Sequence, residues 1–113
     1  MKWIGRPIES ISVIVFLLLC VEGWTQDASR SEAGLVLTGR ICSECHAVDR
    51  KPVPSPNPAA PRFETIANVP RRMTAIALSV ALQRSHKTMP NIILNTDERR
   101  DIVSYIMSLQ RAN

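Results

Sequence analysis

The sequence predicts one all-α domain behind a short N-terminal leader. Three observations carry this. A chain of 113 residues holds at most one ordinary domain. Apolar residues recur at helical spacing in its second half, and no stretch alternates apolar and polar residues as a half-buried strand would. Of the five aromatics, Trp3, Phe16 and Trp24 fall within the leader or at its edge, so Phe63 and Tyr105 alone stand well inside the rest. With about 90 residues left after the leader, such a core is only marginally stable without a staple, a metal or a cofactor. The composition is too apolar for a disordered chain and too poor in long apolar runs for a multi-span membrane protein. A two-domain enzyme is excluded on length.

The leader comes first. Lys2 and Arg6 precede an apolar stretch from Ile11 to Val21, 11 residues with Ser12 as the one polar interruption. A bilayer span takes about 20 residues, whereas this is the length of the apolar centre of a signal peptide. Val21 and Gly23 suit the −3 and −1 positions of a cleavage site, so residues 1–23 are expected to be removed and 24–113 to form the domain. Retention as an uncleaved anchor is the alternative. Cys20 follows Leu19 rather than a small residue, and is read as a leader thiol, not a lipid attachment point.

Ser29 and Glu32 have capping-box spacing, which predicts a helix from there to about Cys42. Gly34 and Gly39 weaken it by about 1 kcal/mol each, and a glycine so placed often admits a second backbone. Prolines 52, 54, 56, 58 and 61 forbid helix and central strand and force a stiff, extended strap. A short helix is expected over 62–68 and another over 71–84, the second with an apolar stripe of Met73, Ile76, Ala77 and Val80. Residues 86–95 read as a loop broken by Pro90. In the last helix Asn95 or Thr96 is the cap, Asp97 and Glu98 occupy the first turn, and Ile102, Tyr105, Ile106 and Leu109 form one face.

The net charge is +4, and the leader holds two basic and two acidic residues, so the domain itself is basic. That suits an acidic protein partner or an anionic surface. Nucleic acid is disfavoured, because the basic residues are scattered and almost no aromatics stand among them to stack bases.

The chemistry lies in Cys42-Ser43-Glu44-Cys45-His46, a C-x-x-C-H run in an exported chain and the signature of c-type haem attachment. Thiols three residues apart fall on one side of a helical turn, within reach of two vinyl groups at a porphyrin edge. The next residue is rotated by about 100°, which swings the His46 imidazole toward the iron. A haem face also supplies the large apolar plate that the missing aromatics leave wanting. Three plainer readings compete. A Cys42–Cys45 disulfide would close a tiny loop and leave His46 unexplained. A thioredoxin-like pair needs strands. A zinc site would need Cys42, Cys45, His46 and His86, although adjacent Cys and His seldom reach one tetrahedral ion.

The segment resembles a small class I cytochrome c of the bacterial type. Besides residues 42–46, the likeness rests on Gly34 eight residues before the first cysteine, on Ala60-Pro61-Arg62-Phe63, on Thr88-Met89-Pro90 and on the terminal Asp101-Ile102-Val103-Ser104-Tyr105-Ile106. The resemblance implies three to five helices around one covalent haem, with the first and last crossing where Gly34 meets Tyr105. It also implies that the Pro61 carbonyl accepts a hydrogen bond from the proximal imidazole. Met89, 43 residues after His46, resembles the distal methionine, with His86 in the same loop as the alternative ligand. The sequence departs from the pattern at Thr38, where many relatives carry an aromatic.

A His/Met site favours ferrous iron through its soft thioether and closes the iron to substrates. The expectation is therefore a monomeric periplasmic electron carrier, not an enzyme, steered to acidic redox partners by Arg62, Arg71, Arg72, Arg84 and Lys87. A gas sensor in which Met89 is displaced, or a dedicated subunit of a periplasmic dehydrogenase, are the alternatives. No distal acid/base pair is apparent for peroxidase chemistry.

Overall fold

A computed structural model of the chain describes residues 7–70, 73–84 and 87–111. Among these the secondary structure is all helical: α1 over Pro7–Ile41, α2 over Phe63–Ala67, α3 over Ala75–Ala81 and α4 over Thr96–Ser108. The expected helix start at Ser29 is corrected, because α1 is continuous from Pro7. Proline is tolerated at a first helical position, and Gly23 weakens the run without breaking it. Ser29 then lies inside the i→i−4 ladder, where its backbone N–H needs no cap. No helix among the described residues is long and apolar enough to cross a membrane.

The helix α1 crosses α4 at Gly34. A Cβ there would collide with the Asp101 carbonyl and stand 2.7 Å from Tyr105 Cβ, so only glycine lets the two helices approach this closely. Gly39 has no such role, since nothing lies within 4 Å of where its Cβ would be. An ion pair from Arg30 Nη1 to Asp101 Oδ1, at 3.2 Å, flanks the crossing. Thr38 is fully buried beside it, its Oγ1 donating to the Leu35 carbonyl at 3.0 Å. A hydroxyl satisfied within its own helix lets this polar side chain be fully buried.

Asn95 caps α4 in a reciprocal box: its Oδ1 accepts from the Glu98 N–H at 2.9 Å and Glu98 Oε2 accepts from the Asn95 N–H at 2.8 Å. Ile102, Tyr105, Ile106 and Leu109 are buried as expected, together with Val103. The α3 stripe is corrected. Helix α3 is shorter than 71–84, Arg71 and Arg72 lie outside the described residues, and Ile76 and Val80 are exposed. The buried face is Leu78, with Ala81 and Leu82 beside it at i+3 and i+4. Both faces of this helix are apolar in sequence, so periodicity alone does not choose between them. The proline strap has no regular structure and is pinned by one side-chain and one backbone bond: Ser55 Oγ accepts from the Ala47 N–H at 3.0 Å, and the Asn57 N–H donates to the Cys45 carbonyl at 3.1 Å.

Candidate functional site

Beyond Ile41 the chain makes one irregular turn of mixed hydrogen-bond spacing. The N–H groups of Cys42 and Ser43 both donate to the Thr38 carbonyl, at 2.8 and 3.1 Å, and those of Cys45 and His46 to the Cys42 carbonyl, at 3.2 and 2.9 Å. This turn brings both thiols and the imidazole to the wall of one cavity of about 380 Å³. Neither cysteine is in a disulfide, and burial pushes the Cys42 thiol up to about 11, so it stays neutral at physiological pH.

His46 Nδ1 lies 2.7 Å from the Pro61 carbonyl oxygen. A carbonyl only accepts, so Nδ1 carries the hydrogen and Nε2 keeps its lone pair for a metal. The Phe63 ring, tilted by 49° at a centroid distance of 5.3 Å, supports the imidazole from the side. Phe63 is itself held by its N–H, which donates to the Ala47 carbonyl at 3.0 Å.

The remaining walls are mostly apolar, chiefly Ile41, Ile66, Leu78, Leu82, Ile102 and Ile106, with polar residues such as Gln83, Arg84 and Asn91 among them. Met89 and Pro90, on the loop before α4, line the same cavity, as does Met73. Thus Cys42, Cys45, His46 and Met89 meet on one slot, while His86 lies outside the described residues. The donors present, two thiols, an imidazole nitrogen and a thioether around a largely apolar volume, are the set that an iron porphyrin takes. The volume falls in the usual range for cofactor sites.

The cytochrome c family model matches residues 31–110. The chain belongs to the cytochrome c family. It is a small class I cytochrome c, and the family carries its c-type haem covalently and serves in electron transfer. Comparisons with curated proteins and with solved structures gave no match.

Two residues of this cytochrome c differ from the sequence reading. Arg62 is not a free steering cation: its Nη2 donates to the Lys51 carbonyl at 2.6 Å and to Glu64 Oε2 at 3.1 Å, and its side chain is 26% exposed. Glu64 also accepts from Arg111 at 2.7 Å; that hydrogen bond first, then the charges of Arg111 and Arg62, hold its carboxyl below the usual range against partial burial. Leu78 went unnoticed because its neighbours on the opposite face carry the same apolar signal. Arg84 and Lys87 remain exposed and make no ion pair among the described residues.

Proposed function

We propose that this chain is a periplasmic one-electron carrier with its haem bonded to Cys42 and Cys45 and with His46 and Met89 as axial ligands. The observation that carries the reading is the meeting of these four side chains on one apolar cavity, with His46 Nδ1 occupied by Pro61 and Nε2 left free. When bound, haem c supplies a one-electron iron couple. The chain does the rest. Its apolar walls keep water from the site and hold the geometry nearly unchanged between redox states, which keeps the reorganisation accompanying transfer small. Two axial side chains leave no open position for a substrate, which favours a carrier over an enzyme. With haem bound, the Met89 thioether would favour ferrous iron, and the His46 imidazole, its Nδ1–H drawn by the Pro61 carbonyl, would act as the stronger donor that moderates that preference.

Arg84, which lines the cavity, and the exposed Lys87, next in sequence to the cavity-lining Thr88, carry positive charge and suit a transient acidic redox partner. The leader from Lys2 to Gly23 supports export. The test is the protein made in cells that attach haem. Its mass should exceed that of the polypeptide by one haem, and the oxidised form should show the weak near-infrared sulfur-to-iron band, with no carbon monoxide uptake once reduced. A colourless product of bare polypeptide mass overturns the reading, and ready carbon monoxide uptake at neutral pH turns it into a ligand sensor.

A further inference from the structure

The Pro61 carbonyl sits in a segment without helix or strand, so no regular hydrogen-bond ladder orients it toward His46. On one side the following residue but one is fixed, since the Phe63 N–H donates to Ala47. On the other, Arg62 reaches in two directions from a single nitrogen: back to the Lys51 carbonyl at the head of the proline strap, and forward to Glu64 in the first turn of α2. A rotation of the Pro61–Arg62 peptide displaces the Arg62 Cα and works against both contacts. Glu64 is in turn braced by Arg111 near the end of the chain. Arg62 Nε is buried and has no hydrogen-bond partner among the described residues. A merely solvated arginine would turn that N–H to water; this one is kept in place although the arrangement leaves a donor unpaired.

We infer that Arg62 is a positioning residue for the iron site, clamping the Pro61 carbonyl onto His46 Nδ1. The inference rests on His46 being an iron ligand, as proposed above. A carbonyl aligned on the N–H draws the proton and makes Nε2 a stronger donor, which favours ferric iron. Loss of the clamp loosens the bond and raises the reduction potential. Loss of the positive charge by itself would lower the potential, because a cation near the iron favours the ferrous state. The two roles therefore differ in sign.

The test uses the ferric holoprotein, whose His46 ring protons are displaced in the proton magnetic resonance spectrum by the unpaired electron. In Arg62→Gln the Nδ1 proton should exchange with solvent deuterium about tenfold faster, the cost of one weakened hydrogen bond, and the potential should rise. Arg62→Lys should restore slow exchange, since an ammonium keeps the charge and can donate to both oxygens. Glu64→Gln, which keeps Arg62 and weakens one anchor, should give a smaller increase in the exchange rate and serves, through that rate alone, if Arg62→Gln does not fold, because loss of the carboxylate charge raises the potential by itself. Exchange unchanged in these variants, or a potential that only falls, overturns the clamp. His46 ring protons that are not displaced in the wild type would instead overturn His46 as a ligand, a separate failure.

Discussion

The Tyr105 hydroxyl donates to the Val48 carbonyl at 2.6 Å, joining the middle of α4 to the backbone two residues beyond His46. Tyr105 thus serves twice. Its Cβ forms the wall that Gly34 packs against, and its phenol pins the chain as it leaves the haem-binding turn. Tyr105→Phe should keep the crossing and lose the pin, at about 1 to 3 kcal/mol for a buried carbonyl left unpaired, measured by denaturant unfolding of the holoprotein. Burial raises the phenol above its ordinary value near 10.0, with Asp49 adding to the rise and Arg50 opposing it. A raised value means that folding favours the neutral form. The stabilisation is therefore complete below pH 10.0 and is lost as pH climbs through the folded value, a dependence that the Phe variant should lack.

Gly34→Ala should destabilise by about 1 to 3 kcal/mol or more, because the added methyl meets a backbone carbonyl that cannot step aside. Gly39→Ala, with open space around it, should be neutral or should stabilise α1 by about 1 kcal/mol. Thermal unfolding of the two variants side by side checks the contrast.

Met89→Ala should abolish the near-infrared band, lower the reduction potential and admit carbon monoxide to the reduced protein. His86→Ala should leave the band in place. Loss of the band in the His86 variant alone would move the ligand assignment from Met89 to His86, and absorption spectroscopy of both variants decides it.

Glu64 contributes through its charge. Its depressed value means that stability is present above about pH 4.5, the ordinary value, and is lost as pH falls through the lower folded value. Glu64→Gln should unfold at lower temperature than the wild type at pH 7, and the difference should close in acid, once the wild-type carboxyl is protonated. Melting curves across that range test it, and added salt should narrow the gap, because the pair with Arg111 is exposed on the arginine side.

The sequence by itself determined whatever depends on neighbours along the chain. The spacing of Cys42, Cys45 and His46, the cap at Asn95, the apolar face of α4 and the helix-free strap are local features, set by helical rotation, backbone donors and proline's fixed φ. Local chemistry could not assign what depends on distant partners. Only the tertiary structure decided that α3 buries Leu78 instead of Ile76, because both faces are equally apolar until α4 covers one. It decided that in the full chain the capping pattern at Ser29 lies within a helix that begins at Pro7. Arg62, expected on the surface, became part of a half-buried tether once the strap brought the Lys51 carbonyl within 2.6 Å and α2 presented Glu64. The physical reason is the same in each case: burial and hydrogen-bond partnership are properties of pairs far apart in sequence, and no short window contains both members.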